Sequence, residues 1–218
     1  MKVNKEIQNY IETTIFPQYK NNEEAHNLDH ILYVIKRSLD FASTLENIDY
    51  NMVYVIAAYH DIGHFYDAKN HEKISGEMLK KDKNLRKYFT EEQIETMKEA
   101  VEDHRASKKE EPRTIYGKIV SSADRNTNVD SFLRRCYSYR KKHNPNLTQE
   151  ELIEESRRHA IDKFGVKGYA SEKMYFKDTE FDQYLKELAL LTMDKETFKK
   201  RFIEVNEIKQ EKILKKER

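Results

Sequence analysis

Apolar residues recur along this chain at spacings of three and four, and that rhythm predicts helices from end to end. Val3, Ile7, Tyr10, Ile11 and Thr14 share one side of a helix over residues 3–16 that stops before Pro17. Leu28, Ile31, Leu32, Ile35, Leu39, Ala42 and Leu45 form the stripe of a second, over about residues 26–45. A third starts near Asp49 and carries Val53, Ile56, Ala57 and His60 on one face. It is apolar almost all round, which predicts a central position. A fourth covers about 71–82. Thr90-Glu91-Glu92-Gln93 is a capping box for a fifth, along which Ile94, Met97, Val101 and His104 align. Pro112 starts a sixth, on which Tyr116, Val120 and Asp124 share a face. Residues 148–163, 178–192 and the Lys/Glu-rich 194–218 supply three more, the last packing through Phe198, Phe202 and Val205. The Tyr-rich run 136–140 reads as packing, and no strand is predicted.

Composition agrees with long helices and removes several chemistries. Only 5 Gly and 3 Pro punctuate 218 residues, too few for a many-stranded sandwich and wrongly placed for either Gly-rich phosphate cradle. Cys136 stands alone, which excludes a disulfide framework and a Cys-rich zinc site. Charged residues make up 36% of the chain, but 40 basic against 39 acidic residues nearly cancel. The clusters Arg134-Arg135, Arg140-Lys141-Lys142 and Lys199-Lys200-Arg201 have acidic neighbours, so nucleic acid is not the expected partner. The longest apolar run, Met52 to Tyr59, falls far short of the ~20 residues that span a bilayer. No apolar stretch follows Met1-Lys2-Val3-Asn4-Lys5, so no signal peptide is visible. The expectation is a soluble, cytoplasmic chain with no membrane partner. The amphipathic 194–218 segment leaves a homodimer open.

Histidine is the residue that carries chemistry. Of 8 His, four lie on helix faces that periodicity turns inward: His30, His60, His104 and, more weakly, His71. One buried imidazole needs only a hydrogen-bond partner; several on separate helices suggest a shared partner, which a metal supplies. His60-Asp61 is the sharpest local feature. Neighbours on a helix diverge by about 100°, so both reach one point only at a helix end, and Gly63 ends this one. A neutral nitrogen beside a charged oxygen suits a mid-row divalent ion such as Mn, Fe, Co, Ni or Zn.

The order His30, His60-Asp61, Asp124, with the flanks Ala57-Ala58-Tyr59-His60-Asp61-Ile62-Gly63-His64, resembles the HD-domain superfamily of metal-dependent phosphohydrolases. The resemblance covers about residues 20–135. It implies an all-α fold, an HD-domain-like helical bundle over residues 1–135, with a C-terminal helical extension over 136–218 that packs on or caps the site. It also implies one or two divalent ions, Mg among the candidates, held by His30, His60, Asp61 and Asp124. His71 and His104 match the order of the two extra histidines in two-metal relatives, with Asp61 then bridging the ions. Asp103-His104 stands where some relatives have a histidine doublet.

The activity implied is hydrolysis of a phosphomonoester, phosphodiester or pyrophosphate bond in a small phosphorylated metabolite, with a nucleotide the expected substrate. Asp61, Arg125 and His64 are the candidate catalytic residues. His26, Arg125, Lys36, Lys167 and Tyr169 are the candidate substrate contacts. Arg125 is the favoured phosphate clamp, and Lys167 and Tyr169 lie in a Gly-containing loop suited to phosphate and base. A di-iron oxygenase and a non-catalytic nucleotide sensor remain alternatives with the same ligand order.

Overall fold

The structure is a computed structural model that describes residues 2–22 and 27–208. It shows ten α-helices and no strand among the described residues. The chain divides into two compact units. The first comprises the chain through Arg125 together with Lys173–Lys177; the second comprises Asn126–Glu172 and the chain from Asp178 onward.

The first unit contains α1 (Lys5–Tyr10), α2 (Leu28–Ala42), α3 (Tyr50–Tyr59), α4 (His71–Lys81), α5 (Glu91–Glu102) and α6 (Ile115–Ala123). The α3 helix packs against α2, α4, α5 and α6, and every residue from Met52 to Tyr59 is buried. Its all-round apolar pattern therefore marks the centre of the unit, as expected. Asp49 caps it by accepting the Asn51 N–H at 2.8 Å. Thr90 and Gln93 form the expected capping box of α5.

Three local expectations need correction. After α1 the chain continues as a π turn (Ile11–Ile15) and a 3₁₀ stretch (Phe16–Asn21) that runs through Pro17. The wider turn moves the buried stripe to Ile7, Ile11 and Ile15 and leaves Thr14 exposed. On α2 the buried face is Ile31, Val34, Ile35, Ser38, Phe41 and Ala42, while Leu28 and Leu32 are exposed. The α6 helix starts at Ile115, not Pro112, because Thr114 is its N-cap, its hydroxyl accepting the Gly117 N–H at 3.1 Å.

The second unit contains α7 (Val129–His143), α8 (Gln149–Phe164), α9 (Thr179–Met193) and α10 (Lys195–Val205). The α7 helix was not predicted, although Val129, Phe132, Leu133 and Cys136 form its buried stripe at helical spacing. The core here is aromatic: Phe164 meets Phe132, Phe181 and Tyr184, and Phe198 stacks on Phe202. Burial pushes the Cys136 thiol up to about 11, which makes it an inert packing residue. No helix among the described residues is long and apolar enough to cross a membrane.

Candidate metal centre

Helix ends bring the inward-facing histidines and aspartates together. The Asn27 side chain accepts the His30 N–H at 3.1 Å, so the N-cap of α2 places His30 in the first turn. The α3 helix ends at Tyr59, which puts His60 at its C-cap and Asp61 in the turn beyond. That turn is what lets two adjacent residues address one point. His71 opens α4, His104 lies just past the end of α5, and Asp124 is the C-cap of α6.

The six side chains form two clusters, His30–His60–Asp124 and Asp61–His71–His104. In the first, His30 Nε2 lies 3.1 Å from Asp124 Oδ1 and 3.4 Å from His60 Nε2. In the second, Asp61 Oδ1 lies 3.1 Å from His71 Nε2 and 3.5 Å from His104 Nε2. Asp61 joins them, because its Oδ2 lies 3.3 Å from His60 Nε2 and 3.6 Å from His30 Nε2. One carboxylate thus turns one oxygen to each cluster.

The donor set fits a divalent ion. His60, His71 and His104 each donate Nδ1–H to a backbone carbonyl three residues back, on Ala57, Ala68 and Val101, at 2.7–2.9 Å. A carbonyl only accepts, so Nδ1 carries the hydrogen and a neutral ring turns its Nε2 lone pair inward. His71 Nε2 and His104 Nε2 face each other at 3.2 Å. Lone pairs that close, with carboxylate oxygens beside them, repel unless a cation stands among them. Nitrogen and carboxylate oxygen together suit a mid-row divalent metal.

Without metal, protons answer the same charge. Burial alone would lower the His30 pKa, but Asp124 and Asp61 override it and carry it to about 9. Burial likewise opposes protonation of His71, and Asp61 still raises its pKa. At His104 burial wins and the pKa falls. Burial would raise the Asp124 carboxyl, but His30 holds it well below the usual carboxylate range.

The remaining predicted site residues separate. His64 is half-buried, with its ring centroid 5.2 Å from that of His71. Arg125 is buried, and its Nη2 donates to Ser121 Oγ at 3.0 Å and to the Lys173 carbonyl at 3.4 Å. Lys36 is exposed about 120° round α2 from His30, which takes it off the face that carries the ligand. Arg37, one residue on, shares that face and is buried, donating Nη1 to the Ala123 and Arg125 carbonyls at 3.2 and 2.7 Å. Lys167 and Tyr169 belong to the second unit, in the turn that closes α8. His26 lies outside the described residues.

Supporting residues emerge that periodicity could not indicate. A Cβ on Gly63 would meet the His71 carbonyl at 2.8 Å and Ile74 at 2.9 Å, so glycine is what lets α4 bring His71 against the His60-Asp61 turn. Ser75 Oγ accepts the Gly63 N–H at 2.9 Å and ties the same approach. Arg105 donates to the Lys69 carbonyl at 2.7 Å and to Glu72 Oε2 at 3.1 Å, joining the segments that carry His104 and His71. Asp103 belongs to neither cluster and pairs with Arg113 and Lys108. Burial would raise its pKa, but Arg113 and Lys108 hold it below the usual carboxylate range.

The HD domain family profile matches residues 27–128. Among solved structures the chain is similar to a predicted HD superfamily hydrolase from an uncultured Thermotogales bacterium. Identity is 21%, coverage is 72% of this chain and 86% of that one, and the TM-score is 0.48. No curated protein matches this chain. All six clustered residues fall within residues 27–128, the span that matches the HD domain family.

Proposed function

We propose that this chain is a metal-dependent phosphohydrolase that cleaves an ester or anhydride bond of a small phosphorylated metabolite, a nucleotide before others. The HD domain and its two His/Asp clusters support the general activity. The observation that carries the reading is Asp61, a single buried carboxylate with one oxygen in each cluster.

A divalent ion bound there supplies Lewis acidity, which activates water near neutral pH and draws charge from a phosphoryl oxygen. The protein's own part is rigidity and access. Three rings locked by Nδ1–H bonds cannot rotate away from the centre. His30 and Asp124 are 14% and 22% exposed, and they mark the side on which a substrate enters. His64, half-buried beside His71, is the ring we assign to the substrate oxyanion. Phe65 and Tyr66 follow it, exposed and edge to face at 5.6 Å, and offer a surface for a nucleobase. The reading requires neither self-association nor a nucleic-acid surface.

The test joins metal content, by plasma mass spectrometry, to phosphate release from a nucleotide panel with Mn, Co, Ni, Fe, Zn or Mg added back. About two ions per chain with metal-stimulated release is the expected result. Oxygen uptake by an iron-loaded protein without release would replace the reading with an oxygenase. Tight nucleotide binding without turnover would replace it with a sensor.

A further inference from the structure

Arg125 feels the charge of the adjacent Asp124 but makes no hydrogen bond to an anionic group among the described residues. Its residue is 3% exposed. Nη2 has two acceptors, Ser121 Oγ and the Lys173 carbonyl, and both are neutral. Nε and Nη1, which carry three N–H groups between them, are buried with no hydrogen-bond partner. No described carboxylate forms an ion pair with it. A buried guanidinium in this condition is costly, because its solvation is lost and only partly replaced.

The segment whose Lys173 carbonyl meets Arg125 brings a second cation held by a neutral oxygen. Lys173–Lys177 belongs to the first unit although the chain on either side belongs to the second. The Tyr175 N–H donates to Ser122 Oγ at 3.2 Å, and Phe176 stacks on Phe41 at 5.2 Å. The Lys173 ammonium donates to the Lys108 carbonyl, again a neutral acceptor. Arg125 directly follows Asp124, the most exposed of the six ligands. Arg125 and Lys173 are thus two cations held by neutral oxygens, joined through the Lys173 carbonyl, and the first of them adjoins an exposed member of the His30 cluster along the chain. A phosphate group, with charge and several acceptor oxygens, is the ligand class that answers both.

We propose that Arg125 and Lys173 form an anion subsite for a phosphate group of the substrate other than the one attacked at the metal centre. The inference rests on the phosphohydrolase reading and narrows it. The preferred substrate carries at least two phosphoryl groups, as a nucleoside diphosphate or triphosphate does.

Inorganic pyrophosphate is the probe, titrated by calorimetry into the full chain after chelator treatment. Wild type is expected to bind it, Arg125→Gln about tenfold or more weaker and Lys173→Gln a few-fold weaker, while Arg125→Lys recovers part of the loss. Lys173 is only half-buried, so its variant keeps the result interpretable if Arg125→Gln fails to fold. With metal restored, Lys173→Gln should raise KM for a diphosphate substrate and leave that for a monophosphate unchanged. Equal pyrophosphate affinity in wild type and both variants, or none in wild type, overturns the subsite and leaves Arg125 a structural cation. Intact pyrophosphate binding with no hydrolysis of any phosphate overturns the phosphohydrolase reading instead.

Discussion

The two ligand clusters share Asp61 and little else. In the His30–His60–Asp124 cluster, one histidine and the aspartate reach the surface, and His30 holds its proton to about 9. In the Asp61–His71–His104 cluster the side chains are 2–8% exposed, and burial pulls the His104 pKa down. On the proposed reading, the first would bind metal in competition with protons and meet the substrate. The second is dry and fixed by its surroundings. Within one centre, the exposed cluster suits exchange and the closed one suits permanence.

The largest test of the contrast removes what the clusters share. Asp61→Ala should empty both and lower phosphate release about 10³-fold or more, with helical circular dichroism nearly unchanged. Retention of one ion per chain would show that Asp61 does not join the clusters. A smaller effect separates them. Gly63→Ala places a methyl group against the His71 carbonyl and Ile74, so α4 must shift. Metal affinity at the closed cluster should fall about 10–100-fold, while the His30 cluster keeps its ion. Stoichiometry from calorimetric titration reads this directly, and equal loss at both clusters would contradict it.

The smallest effect is one of pH in the metal-free chain. His30 has a folded pKa above the ordinary histidine value near 6.5, so its stabilising contribution is full below that value and disappears as pH rises through about 9. His104 has a lowered pKa and does the reverse, losing its contribution as pH falls below about 6.5. The melting-temperature difference between wild type and His30→Gln should therefore shrink from pH 6.5 to 9. A difference independent of pH would remove His30 from the proton-binding role.

Much of the first unit was legible because its signals are local. Asp49, Thr90 and the run from Met52 to Tyr59 mark helix starts and a centre within a few residues of each other. The six clustered residues stood out because imidazoles and carboxylates on inward faces are expensive without a shared partner. Helical phase, applied from His30, points to Arg37 over Lys36, and Arg37 is the buried cation. The α7 helix was passed over because its charged residues outnumber the four of its buried stripe. Arg113 against Asp103, and Lys173 over Arg125, bring together residues 10 and 48 positions apart, and no periodicity reports such pairs.

The Lys173–Lys177 segment also sets an order of events during synthesis. All six clustered ligands have been made by residue 124, yet Tyr175 meets Ser122 across 53 residues of chain. At about 5–20 residues per second, roughly 3–10 s separate the two ends of that contact on the ribosome. Through that interval all six clustered residues have been made, while the segment whose carbonyl meets Arg125 has not.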